Sequence, residues 1–254
     1  MSGHNKWSSI KHKKGAADAK RGKIFSRLSK EITLAAREGG GDPELNPRLR
    51  SAIDSAKNEN MPNDNVDIAI KKGTGELDGG PLEELIYEGY GPGGVAILVN
   101  CLSDNRNRTA ANMRAYFTKH NSNLANNGAV SWMFHRKSKF TITGEQADEE
   151  NLLEVLLNAG VDADTVEMED EDEATIMAPP EAFSDVLDAL RSAGIKVSSS
   201  SVTMVPENLT PVTELSEAKS LTKLIDALED DEDVQEVFSN FDFSDEIMEK
   251  LEAE

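Results

Sequence analysis

The order of apolar segments and glycines between residues 138 and 206 constrains the fold of this chain more than any other feature. Four short apolar runs typical of strands cover residues 140–143, 165–169, 174–178 and 195–205. Two amphipathic segments lie among them, and Gly160 and Gly194 end the predicted helices. Strand–helix–strand–strand–helix–strand is the order of a ferredoxin-like domain. We therefore predict a ferredoxin-like domain at residues 138–206.

The first part of the chain predicts three helices. An amphipathic segment at residues 16–38 ends at three consecutive glycines. Asn46 before Pro47 is an N-cap and first-turn signal for a second helix. A third short helix is expected to be capped near Asn63 or Asp64. Residues 1–80 are thus predicted to be a basic arm followed by a helical bundle.

Between these regions the pattern changes to strands. The pattern predicts a hairpin of two strands at residues 82–90 and 95–102. Asp104 is expected to cap a helix at residues 106–119, and a further strand is expected at residues 129–134. The tail after residue 206 predicts one helix and one strand, too little to fold alone. We therefore expect residues 81–137 plus 207–254 to form a middle α/β domain into which residues 138–206 are inserted. The predicted class is α+β, with a three-helix bundle and two α/β domains.

Charge is distributed very unevenly along the 254 residues, whose formal net charge is −20. Residues 1–72 hold 15 basic and 9 acidic groups, whereas residues 138–254 hold 6 basic and 32 acidic groups. Within the first 30 residues, nine lysines and arginines face the single acid Asp18. A cationic segment on an anionic protein favours a polyanionic partner and predicts nucleic acid, either DNA or ribosomal RNA.

The basic residues of the first predicted helix share one face. On a helical wheel five of them fall in an arc beside the apolar one, so we expect one face to pack against a core and the other to meet a partner. A merely solvated face, or a solubilising arm, is the alternative. The predicted nucleic-acid-binding residues are Lys6, Trp7, Lys11, Lys13, Lys14, Lys20, Arg21, Lys23, Arg27, Lys30 and Arg37. Trp7 is the one among them that could stack on a base.

A second possible phosphate site surrounds the start of the helix at residues 106–119. Its free amide groups and the side chains of Arg106, Arg108 and Arg114 suit a phosphate. An Asp104 cap with the arginines paired to nearby carboxylates explains the same residues equally well. Both interpretations stay open from the sequence.

The chain lacks the signals of catalytic or metal chemistry. Cys101, the only cysteine, lies in an apolar run and is expected to be a core residue. His4 and His12 suit an acid–base pair for RNA cleavage less well than solvated positions in an arm. The acidic runs at residues 169–173 and 229–233 lack the spacing of a calcium loop and predict solvated turns. We predict no enzyme, no metal and no cofactor.

No apolar run approaches the length of a membrane span, and the N-terminus lacks the apolar segment of a signal peptide. These features predict a cytoplasmic protein without membrane contact.

Several motifs distributed over the whole chain carry a family resemblance. They are Gly3-His4-Asn5-Lys6-Trp7, Lys20-Arg21-Gly22-Lys23, Asn46-Pro47-Arg48-Leu49-Arg50, Ala69-Ile70-Lys71-Lys72-Gly73-Thr74-Gly75 and Tyr87-Glu88-Gly89-Tyr90-Gly91-Pro92-Gly93-Gly94-Val95. With them the chain resembles the YebC family. The resemblance implies a three-domain α/β protein with a cleft, named in bacteria as a probable transcriptional regulator. It also implies similarity to a mitochondrial translational activator of cytochrome c oxidase.

Charge and resemblance together predict a non-catalytic, nucleic-acid-binding regulator of gene expression, with DNA bound through the basic N-terminal domain. The alternative is a translational activator associated with the ribosome or ribosomal RNA. A protein–protein adaptor acting through the acidic domain, and an RNA-cleaving enzyme, are weaker alternatives. The sequence leaves the oligomeric state open.

Overall fold

The computed structural model describes residues 17–170 and 172–252, with side chains described for residues 22–170 and 172–251. The described chain is α+β and forms two compact units. The first unit holds residues 17–130 and 212–239, and the second holds the other described residues.

The described helices are α1 (Ala17–Gly39), α2 (Pro47–Asn58), α3 (Asn63–Gly73), α4 (Arg106–Lys119), α5 (Glu149–Asn158), α6 (Phe183–Ser192), α7 (Leu215–Glu229) and α8 (Asp245–Glu252). The strands are β1 (Glu83–Tyr90), β2 (Ala96–Ser103), β3 (Asn123–Leu124), β4 (Phe134–Thr143), β5 (Thr165–Asp170), β6 (Glu173–Ala178), β7 (Val197–Pro206), β8 (Thr210–Val212), β9 (Val234–Ser239) and β10 (Phe241–Phe243).

Helices α1 to α3 pack around a shared apolar core in the first unit. Its buried members are Ile32, Ala35, Ala36, Leu49, Ala52, Ala56, Met61, Val66 and Ala69. Asn46 joins two of the helices, because its Oδ1 accepts from the Leu49 amide at 3.1 Å and its Nδ2 donates to Ala35 O at 2.8 Å. The predicted cap of α2 is therefore confirmed, and the same side chain also holds the end of α1.

The first unit also contains a four-stranded sheet in the order β3-β1-β2-β9. Strands β1 and β2 form the predicted antiparallel hairpin through a 3-10 turn at Pro92–Gly94. Strand β2 is buried along nearly its whole length because it lies between two neighbours and under helices. Strand β9 pairs antiparallel with β2, which confirms that the tail returns to the hairpin.

Four local predictions in this region and the tail are wrong. Residues 129–133 do not form the predicted strand, because the Glu88 carboxylate accepts from the amides of Gly128 and Val130 at 2.7 Å and fixes an irregular path, and only Phe134 lies in a strand, as the first residue of β4. Asn105, not Asp104, caps α4. Helix α3 follows Pro62 and has no side-chain cap. The predicted strand at residues 234–241 is split into β9 and β10, and helix α8 follows it unpredicted.

The second unit contains the sheet β5-β6-β4-β7, in which every observed pairing is antiparallel. Helices α5 and α6 follow β4 and β6, so the strand–helix–strand–strand–helix–strand order expected of residues 138–206 is observed. A separate core lies between sheet and helices, with buried members that include Phe140, Leu152, Ile176, Val186 and Leu190. Strands β8 and β10 form a further two-stranded sheet. The division into three nested domains stays a prediction.

Candidate nucleic-acid interface

Helix α1 is the element on which the predicted interface depends. Its side chains from Lys23 to Glu31 are half-buried and those from Ile32 to Ala36 are buried. Apolar residues on one side pack against α2 and α3, and cations on the other side meet the tail segment between α7 and β9. The helix is thus enclosed on both sides along its middle, and its basic face is not free for a partner there.

Two lysines of that face pair with the acidic segment, residues 229–233. Lys23 Nζ lies 3.2 Å from Asp230 Oδ1, an exposed pair. Lys30 Nζ donates to Asp233 Oδ1 at 2.6 Å and to Glu232 O at 2.9 Å. Lys23 and Lys30 therefore already have intramolecular counterparts for their charges, and their part in binding nucleic acid stays a prediction.

Asp233 is the centre of a buried polar network that the sequence did not reveal. Its side chain is 2% exposed, and besides Lys30 it accepts from Ser103 Oγ at 3.0 Å, Thr109 Oγ1 at 2.8 Å and Arg108 Nη2 at 2.8 Å. Burial alone would raise the pKa of this carboxyl, but the hydrogen bonds from Lys30, Arg108 and Thr109 together lower its pKa to about 2. The network fastens α1, β2 and α4 to the acidic segment.

Asp231 makes a second set of contacts from the same segment. Its Oδ2 accepts from Asn112 Nδ2 at 2.9 Å and from the Tyr116 hydroxyl at 3.0 Å. Burial, together with the hydrogen bond to Asp231, raises the pKa of Tyr116 to about 12. The Asp233 amide donates to Asp231 Oδ1 at 2.9 Å and orders the turn.

The acidic segment is therefore not the solvated turn predicted, since Asp231 and Asp233 are buried. A usable signal was present: the run of five acids follows Leu228 and precedes Val234, both fully buried. A loop this short between two core positions must run close to the core. Among the described residues, no group of three or more histidines, cysteines or acids is arranged to hold a metal ion.

The other predicted interface residues differ in their surroundings. Arg37 is exposed and donates to Gly80 O at 2.7 Å. Arg27 is half-buried, and its buried Nε has no hydrogen-bond partner among the described atoms. The side chains of Lys20 and Arg21 fall outside those described, as do all of Lys6, Trp7, Lys11, Lys13 and Lys14.

The three arginines of the second possible phosphate site have different surroundings in the structure. Asn105 Oδ1 accepts from the Arg108 amide, and the Arg108 side chain pairs with Asp104 and Asp233, each at 2.8 Å. For Arg108 the alternative of pairing with nearby carboxylates is the one observed. Arg106 and Arg114 are exposed.

Arg48 also forms ion pairs with carboxylates of the protein itself. Its guanidinium lies 2.8 Å from Glu31, 2.7 Å from Glu38 and 2.7 Å from Glu84. Hydrogen bonding to Glu31 is the main reason that its pKa is raised. This cluster joins α1, α2 and β1, and sequence spacing alone could not identify partners so far apart in the chain.

Some cations of the first unit remain unpaired. Lys71 and Lys72, at the end of α3, are exposed and form no ion pair with any described residue. Beside them, a groove of about 520 Å³ is lined by Arg37, Lys72 and the glycine-rich loop at residues 73–80. Glu76 and Asp78 line the same groove, so it has no excess of positive charge that would select an anion.

Comparison with known proteins accounts for nearly all of the chain. Residues 5–76 match the TACO1/YebC protein N-terminal domain, and residues 82–241 match the TACO1/YebC second and third domain. The chain belongs to the TACO1/YebC family. The resemblance inferred from the motifs is thereby confirmed.

Curated members of the TACO1/YebC family and one solved structure agree with this assignment. A probable transcriptional regulatory protein of Geobacter sulfurreducens is 55% identical over 251 residues, 99% of this chain and 100% of the relative. One from Halothermothrix orenii is 54% identical over 256 residues and the full length of both chains. The crystal structure of a conserved hypothetical protein from Aquifex aeolicus superposes with a TM-score of 0.81 at 44% identity, covering 94% of this chain and 97% of that one.

Two further findings concern the buried cysteine and the length of the helices. Cys101 is buried, as predicted, and burial raises the pKa of its thiol to about 12, so it carries almost no nucleophilic thiolate near neutral pH. Within the described part of the chain, the helices are too short or too polar to cross a bilayer.

Proposed function

We propose that this TACO1/YebC protein is a non-catalytic regulator of gene expression that binds nucleic acid through its N-terminal region. The charge distribution carries the proposal. The first 30 residues hold nine cations against one acid, whereas the rest of the chain holds 18 basic and 46 acidic residues. The names of the relatives, which are probable transcriptional regulatory proteins, support the regulatory role.

The proposed contacts go mainly to phosphate groups. Lys23 and Lys30 are committed to Asp230 and Asp233, so the available cations are those of residues 1–21, joined by exposed groups such as Arg37. Lysines bind phosphate as point charges and carry little sequence information. The protein should therefore bind nucleic acid with appreciable affinity but with little preference for sequence.

Salt dependence tests this proposal directly. If about six phosphates are neutralised, affinity for a labelled duplex or RNA should fall roughly a thousandfold between 50 and 200 mM salt. Replacing Lys6, Lys11, Lys13 and Lys14 by glutamine should flatten that dependence. A matched variant with the exposed Lys57, Lys71, Lys119 and Lys196 replaced by glutamine changes net charge equally and should bind like the wild type. Equal losses in the two variants would refute a specific role for the arm.

Ribosomal RNA is the second candidate target, favoured by the enclosure of α1. A recognition helix must present an open face to the major groove, and the middle of α1 has none. Cations outside that helix suit the irregular phosphate surfaces of structured RNA. In a sucrose gradient at near-physiological salt, co-migration with ribosomal subunits that the four-glutamine arm variant loses would support RNA. A promoter fragment bound at least about a thousandfold tighter than random duplex would support DNA.

A protein–protein adaptor acting through the acidic domain remains an alternative. Deleting residues 1–80 cannot test it, because α1 is fastened to the rest of the first unit by the Asp233 network. The four-glutamine arm variant leaves that network intact. Unchanged regulation in a strain carrying only this variant would favour the adaptor over nucleic-acid binding.

A further inference from the structure

The outer edge of β7 is the most unusual surface of the second unit. Strand β7 pairs on one side with β4, in a register that runs from Phe134 opposite Pro206 to Thr141 opposite Ser199 and then shifts, so that Ile142 lies opposite Val197. No described strand pairs on its other side. Residues 198–202 are exposed, although strand residues normally alternate between buried and exposed. A row of backbone amides and carbonyls is therefore available at this edge.

This edge also lacks the charges that normally protect one. Strand β7, from Val197 to Pro206, contains no charged residue, in a chain with 27 basic and 47 acidic residues. Strand β5, at the opposite edge of the same sheet, carries Glu167, Glu169 and Asp170 among its six residues. Edge strands are commonly protected from pairing by charge, proline or shortness. The β5 edge has such protection, whereas β7 has only Pro206 at one end and a register shift at Ser198 near the other.

We propose that β7 pairs antiparallel with β7 of a second copy of this chain, about a two-fold axis beside Ser200, to join the two sheets into one of eight strands. In an antiparallel pair, residues opposite each other have their side chains on the same face of the sheet. A two-fold axis between two identical strands must therefore lie where one residue is opposite its own copy. With Ser200 there, Ser199 lies opposite Ser201 of the second copy, on the regular part of β7 that ends at Ser199. Serine pairs across strands can hydrogen-bond, and no like charges meet in the paired rows.

Charge placement favours a second copy as the occupant, despite the net charge of −20 on each chain. The nearest strand with charged side chains is β4, with Arg136, Lys137 and Lys139. The two β4 strands would be three strand spacings apart, about 14 Å, beyond the Debye length of about 8 Å at physiological ionic strength. The acids of β5 lie farther away still. Association should therefore strengthen as salt rises, whereas nucleic-acid binding weakens.

Sedimentation of the full chain tests the pairing. We expect a monomer–dimer equilibrium that tightens between about 30 and 300 mM salt as repulsion is screened. Ser200→Lys places two like charges at the axis and should weaken dimerisation at least tenfold. Thr165→Lys, at the exposed β5 edge, is the matched control and should leave the dimer constant unchanged. Both sites are exposed, and circular dichroism checks that each variant is folded.

Cysteine cross-linking locates the axis. Ser200→Cys should give a disulfide-linked dimer under mild oxidation, whereas Thr165→Cys should not. Cys101 is 2% exposed and does not compete. A wild-type chain that stays monomeric in the high-salt buffer would overturn the proposal. So would a dimer that Ser200→Lys leaves intact, because its interface would then lie elsewhere.

Discussion

At the residue scale, Asp233 shows how a buried charge is held. A carboxylate that is 2% exposed is tolerated because Lys30, Arg108, Ser103 and Thr109 all donate to it. Removing the acceptor leaves a lysine and an arginine facing an uncharged site. The loss is limited by the partial exposure of both cations, which can regain water.

We expect Asp233→Asn to lower the free energy of unfolding at pH 7 by about 2–3 kcal/mol, as for loss of one partner in a buried polar network. Urea denaturation followed by circular dichroism measures it. The control is Asp230→Asn in the same segment, whose carboxylate is 63% exposed and pairs only with Lys23 in the described contacts. That change should cost less than about 1 kcal/mol. Equal losses would contradict the special position of Asp233.

The same carboxyl predicts a pH dependence. Its pKa is about 2 in the folded protein against 3.8 ordinarily, so its stabilisation is complete above pH 4 and lost as pH falls toward 2. That difference corresponds to about 2 kcal/mol. Comparing urea curves of the wild type and Asp233→Asn from pH 7 to 2.5 should show the gap closing with acid. A gap that stays constant over this range would contradict the low pKa.

Two glycines should respond to alanine with opposite signs. A Cβ on Gly89 would overlap the Phe117 ring and lie 2.6 Å from Asn123 O, so Gly89→Ala should destabilise by about 1–3 kcal/mol. Gly22 lies in α1 with no atom near the position of a Cβ, and Gly22→Ala should stabilise by about 0.5–1 kcal/mol. Melting temperatures measure both changes. Destabilisation by Gly22→Ala would indicate a contact at α1 that the described residues do not explain.

At the scale of elements, the helix starts differ in how they are fixed. Asn46 caps α2 and also donates to α1, whereas Asn63, the first residue of α3, makes no capping bond. An asparagine near a helix start therefore contributes to stability in α2 but not in α3. Only the path of the chain before the helix decides whether the side chain can reach the amides.

Alanine substitution separates these two positions. Asn46→Ala should lower the free energy of unfolding by about 1–2 kcal/mol. It removes the cap of α2 and leaves buried carbonyls without their hydrogen-bond donor. Asn63→Ala should change stability by less than about 0.5 kcal/mol, as for an ordinary surface position. Thermal unfolding of both variants measures the difference. A larger loss for Asn63→Ala would contradict the finding that α3 begins without a side-chain cap.

At the scale of the whole molecule, the second unit has a core of its own. The buried and half-buried members of this core fall between Phe140 and Val197, and all four strands of its sheet lie between residues 134 and 206. Such a segment satisfies its own hydrogen bonds and apolar contacts.

A fragment of residues 131–211 should therefore fold alone. Cooperative thermal unfolding and dispersed amide signals in an NMR spectrum are the expected results. The matched control is residues 81–130, which contain β1 and β2 but lack β9, and should not fold. Collapsed amide dispersion in the 131–211 fragment would refute its independence.

The sequence by itself determined the elements whose causes are local. Periodicity and glycines placed the described helices other than α8, and most strands, within a few residues, since these signals act over a few turns of chain. The Asn46 cap, the hairpin at residues 91–94 and the burial of Cys101 followed from neighbouring residues. The family and the basic character of the first 30 residues were equally readable, because motif identity and charge need no three-dimensional information.

Tertiary structure alone decided which charges remain available. Lys30 and Asp233 are far apart in the chain, as are Arg48 and Glu84, so no spacing rule could pair them. The wheel of α1 showed which residues share a face but not what that face meets. The acidic segment looked solvated by composition, yet two buried neighbours pull it into the core. Ion pairing depends on which segments the fold brings together, and that is fixed by the packing of the whole chain.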